Sequence, residues 1–177
     1  DLFLCGYVHF DREKARNRPL VAGRPSVWTN PVSYDPLPSI LLQNDGTGVF
    51  SDVTDKAGVA NPAGKSMQAL FCDFNNDNWP DLYIANDVGT ADAMYQNNGD
   101  GTFKDISALS GTYDRRASMG IAVGDVWHEG RMDLFTTHWV NEDHALWKNQ
   151  SATTPDNSIL MEDVGPTTGI LDIKSPA

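Results

Sequence analysis

The sequence has few cysteines, few basic residues and no long apolar run, and each shortage excludes a class of protein. Two cysteines in 177 residues exclude a disulfide-dense mini-scaffold. No apolar run approaches the roughly 20 residues of a membrane-spanning helix, so we expect no membrane insertion. The 13 Lys and Arg residues against 24 Asp and Glu give a net charge of −11. That charge repels phosphate backbones, and we expect no nucleic-acid partner.

The two cysteines, Cys5 and Cys72, leave two interpretations open. They form one bridge if the compartment is oxidising, or they are two small buried thiols inside strands. The second interpretation is favoured because nothing else in the composition indicates a disulfide framework.

The chain repeats itself at an interval of 52 to 53 residues. Asp73 returns as Asp125 after 52 residues, and Asn44 returns as Asn97 after 53. Many other positions keep the same step, including the pairs Ser66 and Ser118, Asp81 and Asp133, Phe50 and Phe103, and Asp52 and Asp105. A fixed interval of this length indicates a repeat architecture.

Each repeat is predicted to consist of β-strands. Short apolar or aromatic segments are bounded by Asn, Asp and Gly at 67–72, 82–85, 93–96 and 102–106. No stretch keeps a long period of 3.6, so helices should be few. We predict an all-β chain forming a partial β-propeller, with four-stranded antiparallel blades of about 52 residues. A β-sandwich competes, but it has no reason to repeat at a fixed interval.

The repeats predict three units within 1–177. The first is a blade at 1–54 with a long loop insertion at 10–38, the second a calcium-binding blade at 66–107, and the third a blade with a degenerate loop at 118–164. Because propellers close with four to eight blades, we expect other propeller blades or subunits to complete the ring. The insertion carries no motif, although long loops are common places for binding.

Residues 73–81 are the most specific candidate site. Oxygen-bearing side chains stand at positions 1, 3, 5 and 9 of this loop, and position 7 can offer a backbone carbonyl. A tight loop would converge these oxygens on Ca²⁺, which binds oxygen ligands, whereas Mg²⁺ demands a stricter octahedron. An Asx-rich turn without metal is the alternative. The predicted metal ligands are Asp73, Asn75, Asp77, Trp79 and Asp81.

The equivalent loop of the next repeat, 125–133, is predicted to be empty. Position 3 is Trp127, and Arg131 adds a positive charge that can take the place of an ion beside the carboxylates. By the same alignment, Asp1 is position 9 of an earlier loop.

These motifs resemble FG-GAP/VCBS repeats. The closest segments are 95–103, followed by Asp105 and Ile106, and 79–87. With the insertion after Tyr7, the combination resembles the ASPIC/UnbV-containing, cartilage-acidic-protein-like group. The resemblance implies a propeller, often seven-bladed, with Ca²⁺ in the inter-strand loops and a secreted, periplasmic or cell-surface location. It also implies a role in adhesion or assembly.

Two functions follow as hypotheses. The first is a non-catalytic, calcium-stabilised module that contacts a protein or glycan ligand. The alternative is the propeller portion of a secreted enzyme that acts on polysaccharide or carries a metal site, because propellers also serve enzymes. Its candidate groups are three histidines with nearby carboxylates: His128, His138, His144, Asp125, Glu142 and Asp143.

Four tryptophans could form a sugar-stacking platform, but their repeat positions favour packing between blades. They are Trp79, Trp127, Trp139 and Trp147.

Overall fold

The computed structural model describes residues 1–16, 20–21, 24–25, 31–140, 142–151 and 158–170, with 20–21 and 24–25 described in backbone only. In these residues the chain forms three antiparallel sheets of three or four strands and one two-stranded ribbon. The predicted all-β class is therefore confirmed. The helices are short: α1 (Arg12–Arg16), α2 (Thr54–Ala57), α3 (Gly165–Thr168) and a 3₁₀ turn at Pro31–Ser33. None of these described helices could span a membrane.

The first sheet has three strands among the described residues. They are β1 (Leu2–Leu4), β4 (Ile40–Asn44) and β5 (Phe50–Asp52), in the order β1-β4-β5. Between β1 and β4 lie α1 and the ribbon of β2 (Leu20–Val21) and β3 (Arg24–Pro25).

The second and third sheets each have four strands in sequential order. The second contains β6 (Ser66–Cys72), β7 (Asp81–Asn86), β8 (Ala93–Asn97) and β9 (Phe103–Asp105). The third contains β10 (Ser118–Gly124), β11 (Asp133–His138), β12 (Ala145–Asn149) and β13 (Met161–Asp163). Connections between neighbouring antiparallel strands are short, as expected for consecutive hairpins.

The register repeats as faithfully as the sequence does. The first residue pair after each loop aspartate joins corresponding positions in all three sheets: Leu2 with Leu42, Leu82 with Tyr95, and Leu134 with Trp147. The pairing of β6 with β7 and that of β10 with β11 also shift register at corresponding points, after Ser66 and after Ser118. A side chain in one sheet therefore has a structural counterpart in the next.

Strand β7 is buried on both faces, which explains its nearly continuous apolar sequence. Leu82 and Ile84 belong to an apolar cluster with Leu41 of the first sheet, and Tyr83 belongs to another with Leu134 of the third. Because successive strand residues point to opposite faces, the second sheet lies between the other two and supplies core to both.

The insertion predicted at 10–38 is only partly described, and 17–19, 22–23 and 26–30 lie outside the described residues. Its ends are joined, because Val8 bridges to Pro36 and the N–H of Leu37 donates to the carbonyl of Tyr7 at 3.1 Å. Near its base, Phe10 stacks on Tyr34 with ring centroids 5.9 Å apart.

Two predictions about packing were partly wrong. Trp147 lies in the core, but Trp79 and Trp139 are 51% and 58% exposed because they stand on connections rather than on inward strand positions. Trp127 is half-buried. Cys5 is exposed just beyond β1, whereas Cys72 is half-buried at the end of β6, and neither forms a disulfide.

Candidate metal-binding loops

Asp73 begins the loop 73–81 and organises its turn. Its Oδ1 accepts the backbone N–H of Asp77 at 3.1 Å, and its Oδ2 accepts that of Asn78 at 2.8 Å. Asn76 and Asn78 have positive φ angles of 59° and 71°, a conformation that Asn adopts more readily than most residues. The loop therefore closes tightly around its first carboxylate.

Asp81 closes the loop from its far end. It is fully buried, and its carboxylate accepts the N–H groups of Phe74 and Asn97, each at 3.0 Å. Burial raises the pKa of Asp81 to about 6, and the negative charges of Asp77 and Asp73 add to the rise against the two hydrogen bonds. The charges of Asp73 and Asp77 are therefore close enough to oppose the ionisation of Asp81.

The middle of the loop adds further oxygen atoms. Asn75 is buried and donates from Nδ2 to Asp77 Oδ2 at 2.9 Å, while Asp77 Oδ1 accepts the N–H of Trp79 at 2.8 Å. The Trp79 indole lies over the next hairpin against Gly99. Of the predicted ligands, Asn75 and Asp77 are hydrogen-bonded to each other. Asp73 and Asp81 each accept hydrogen bonds from backbone N–H groups of the loop, and Asp81 also accepts one from Asn97.

The donor set of the loop suits a hard cation. Carboxylate, amide and carbonyl oxygens are available, which Ca²⁺ accepts at 2.3–2.6 Å. Burial, with the charges of Asp73 and Asp81, raises the pKa of the adjacent Cys72 thiol to about 11, so it offers no thiolate. Within the described part of the chain, no basic side chain forms a salt bridge with Asp73, Asp77 or Asp81.

The loop 125–133 has the same hydrogen-bond frame. Asp125 accepts the N–H groups of Glu129 and Gly130 at 2.8 and 2.9 Å, as Asp73 does in the first loop. Asp133 accepts those of Val126 and Asn149, both at 2.9 Å, as Asp81 does. The positive φ angles recur at His128 (56°) and Gly130 (74°). The two loops thus share a backbone and differ in side chains.

Basic side chains compensate one carboxylate of the second loop, Glu129, whereas Asp125 and Asp133 form no salt bridge within the described residues. Arg131 Nη2 forms a salt bridge with Glu129, and Lys148 Nζ lies 3.0 Å from the other oxygen of the same carboxylate. Lys148 also lies over the Trp127 ring, 5.0 Å from its centroid. Arg131 was predicted to stand beside the loop carboxylates. It pairs with Glu129 and forms no salt bridge with Asp125 or Asp133 among the described residues, so it does not occupy the place of an ion between those two, and Lys148 is a second cation that the loop sequence does not contain.

Asp1 occupies the place of Asp81 and Asp133 in the first sheet. Its Oδ1 accepts the N–H of Asn44 at 2.8 Å, in the way that Asp81 accepts that of Asn97. The prediction that Asp1 is a position-9 aspartate therefore agrees with this contact.

The histidines proposed for catalysis are not gathered into one site. His138 and His144 have ring centroids 6.3 Å apart, and His144 Nδ1 accepts the N–H of His138 at 3.0 Å. His128 is exposed on the loop 125–133. Among the carboxylates, Asp125 binds loop backbone, Glu142 accepts the N–H of Ala117 at 2.7 Å, and Asp143 contacts His138 through its carbonyl.

The sequence of this chain is similar to those of known proteins. A family described as FG-GAP-like repeat matches residues 73–136. This stretch of the chain is similar to FG-GAP-like repeats. Human cartilage acidic protein 1 is 27% identical over 151 residues, and the mouse protein of the same name is 28% identical over 152. The alignments cover 73% and 74% of this chain but 21% of each relative. The resemblance to FG-GAP repeats and to the cartilage-acidic-protein-like group is confirmed.

The FG-GAP-like match begins at Asp73 and includes both loops, 73–81 and 125–133. The matched segment therefore contains one loop, 125–133, with a carboxylate paired to basic side chains, and one loop, 73–81, without such a pair among the described residues.

Proposed function

We propose that this chain is a calcium-stabilised, non-catalytic part of an extracellular β-propeller that serves protein or glycan interaction and assembly. The observation that carries the proposal is the contrast between the two loops. They share one hydrogen-bond frame, but Glu129 of the second has Arg131 and Lys148, whereas the carboxylates of the first have no basic partner among the described residues. A bound cation would offset that charge.

Calcium at the loop 73–81 would supply two positive charges that offset three carboxylates. Asp73, Asn75, Asp77 and Asp81 would hold it with side-chain oxygens, and Trp79 with its carbonyl. The protein prepares the site by fixing the Asp73 and Asp81 carboxylates on backbone N–H groups. Asn149 of the third sheet adds support, because its Nδ2 donates to the carbonyl of Phe74 at 2.7 Å. Metal binding would therefore stabilise the contact between neighbouring sheets.

The propeller part of the proposal rests on repetition and on exposed apolar surface. Three sheets repeat one register, and the second packs on both neighbours. On the first sheet, Leu2, Leu4 and Ile40 are 49%, 48% and 37% exposed. Apolar side chains on a sheet face need a covering layer, which further blades or subunits would provide.

The proposed extracellular location is based on the relatives. The proposed non-catalytic role is based on the burial of His138. The relatives are named for cartilage and for acidity, and this chain carries a net charge of −11. The His138 side chain is fully buried, so it has no surface open to a polysaccharide. A secreted or surface-exposed binding role is therefore the better supported of the two hypotheses.

Thermal unfolding with and without calcium tests the proposal. After exhaustive treatment with EGTA, added Ca²⁺ at 100 times its Kd should stabilise the protein by about 2.7 kcal/mol. Asp77→Asn should abolish most of this gain. Glu129→Gln, at the corresponding position of the second loop, is the matched control and should retain it. An unfolding transition that calcium does not move would refute the calcium role.

A further inference from the structure

A buried polar cluster lies between the first and second sheets, and all of its members are neutral. Asn61 Nδ2 donates to Ser66 Oγ and to Asn86 Oδ1, both at 3.0 Å, and Ser66 Oγ lies 3.0 Å from Ser39 Oγ. All four side chains are buried. Their hydrogen bonds satisfy one another without any charge.

The corresponding cluster between the second and third sheets has a different chemistry. Counting on by 52 or 53 residues, Ser39 becomes Asp92, Asn61 becomes Asp114, Asn86 becomes His138 and Ser66 remains Ser118. All four are buried. One oxygen of Asp92, one oxygen of Asp114 and one ring nitrogen of His138 lie within 4.8 Å of one another. Three neutral side chains have thus been replaced by three that bind metals.

The tautomer of His138 leaves a ring nitrogen without a donor. Nδ1 lies 2.7 Å from the carbonyl oxygen of Asp143, which can only accept, so Nδ1 carries a proton. Nε2 is buried in a side chain that is 0% exposed, and it makes no hydrogen bond. It lies 3.2 Å from Asp114 Oδ2, a distance that an ion pair with a doubly protonated ring would also give. With Nε2 unprotonated, its lone pair faces carboxylate oxygens, and a cation between them would relieve that repulsion.

Surrounding residues hold the two carboxylates in place. Asp92 accepts hydrogen bonds from the Tyr83 hydroxyl at 2.5 Å, the Ser118 hydroxyl at 2.7 Å and the N–H of Asn86 at 2.7 Å. Arg116 holds Asp114 through Nε at 2.9 Å and also reaches Asp163 at 3.1 Å. Hydrogen-bonded carboxylates and a carbonyl-bound imidazole are typical outer contacts of metal ligands.

The local charge leaves a deficit of two positive charges. When all three are ionised, Asp92, Asp114 and Asp163 carry three negative charges against the one positive charge of Arg116, and burial raises the pKa of Asp92 to about 6 where no cation offsets it. His138, with Nε2 unprotonated, adds none. A divalent ion would restore neutrality at a place where an uncompensated charge is costly.

We propose that Asp92, Asp114 and His138 bind a divalent transition-metal ion of the zinc type, which joins the second sheet to the third. Imidazole with carboxylate suits zinc, whereas calcium selects oxygen ligands alone. The site is separate from the loop 73–81 in sequence and in ligand type. It goes beyond the calcium role and does not depend on it.

Zinc stoichiometry of the intact protein, refolded with Zn²⁺ and dialysed, tests this site. His138→Asn copies Asn86 at the matching position, so it should fold and bind one zinc fewer than the wild type. His128→Asn also copies its repeat counterpart, Asn76, but lies outside the cluster, and it should keep the full content. Tyr83→Phe, which removes an outer contact of Asp92, should weaken zinc binding about 10-fold without changing its stoichiometry.

Two further measurements make the result decisive. Asp92→Ser, copying Ser39, replaces His138→Asn if that variant does not fold, and it should also lose one zinc. Cobalt in place of zinc should give a visible spectrum of nitrogen and oxygen ligands without a thiolate charge-transfer band. Equal zinc content in the wild type and in His138→Asn would overturn the proposal, as would a wild type that binds no zinc. In that case a proton on Nε2 supplies the missing cation. Calcium-dependent stability would be unaffected by either outcome.

Discussion

The loops 73–81 and 125–133 have one backbone and two ways of balancing charge. In both, the first aspartate accepts two loop N–H groups and the ninth accepts one from the loop and one from the hairpin. In the second loop, Glu129 is paired with two basic side chains, whereas no carboxylate of the first loop forms a salt bridge within the described residues. The two loops therefore share the frame built on their first and ninth aspartates and differ in the side chains between them.

The largest loss of stability is expected at the ninth aspartate, which makes the same hydrogen bonds in both loops. Asp81→Ala and Asp133→Ala each leave one buried and one partly buried N–H group without an acceptor, so each should lower the free energy of unfolding by about 2–5 kcal/mol. Urea unfolding in EGTA measures this loss for both. Near-equal losses would support a shared frame, and a loss confined to Asp81→Ala would contradict it.

The second-largest effect, a loss of calcium-dependent stabilisation, is expected at positions where the side chains of the two loops differ. The triple variant N75W/D77E/W79R gives the first loop the side chains of the second, so it should fold but lose the calcium-linked stabilisation of about 2.7 kcal/mol at 100 times Kd. Calcium-dependent melting measures the change. Retention of the full calcium shift would show that the ion binds elsewhere.

The third-largest effect is expected from the hydrogen bond that Asn149 of the third sheet makes to the loop of the second sheet. Asn149 Nδ2 donates to Phe74 and Met132 carbonyls and is buried, whereas its counterpart Asn97 donates to Pro80 at an exposed position. Asn149→Ala should therefore cost about 1–3 kcal/mol more than Asn97→Ala in calcium-free urea unfolding, since it leaves a buried carbonyl unpaired. Equal costs would mean that the contact between loop and neighbouring sheet contributes nothing.

The smallest effect is expected from the basic residues of the second loop. Lys148→Met removes a partly exposed ion pair with Glu129, which should cost about 0.2–1 kcal/mol. The measurement is urea unfolding at low and high salt, and the difference should shrink as salt screens the pair. A loss that does not vary with salt would attribute the effect to packing of Lys148 on Trp127 instead.

Local patterns predicted the strands well. The apolar run that starts at Leu82 and Tyr83, directly after a loop aspartate, is enough to place β7. Lys148 was missed because it reaches Glu129 only through the pairing of β11 with β12, a contact across 19 residues. The exposure of Trp79 and Trp139 was also missed. The repeat interval predicts where a residue lies along the chain, but it does not show whether another element packs against its side chain.

The cluster of Asp92, Asp114 and His138 escaped prediction for a related reason. Its members are far apart in sequence and form no local motif, and residue type draws attention to His138 mainly through its neighbours His144 and Asp143. A signal was nevertheless present. Aligning the repeats in register shows neutral residues at three positions of one interface and metal-binding types at the same positions of the next.

Terbium luminescence is the most direct test that the cation belongs to the loop 73–81. Tb³⁺ substitutes for Ca²⁺ and emits when a nearby indole transfers energy to it. Trp79, which would bind through its carbonyl, should sensitise the ion with its indole. The account predicts calcium-displaceable emission that Trp79→Phe largely removes and Trp127→Phe in the second loop retains. Emission that depends on Trp127 and not on Trp79 would contradict it.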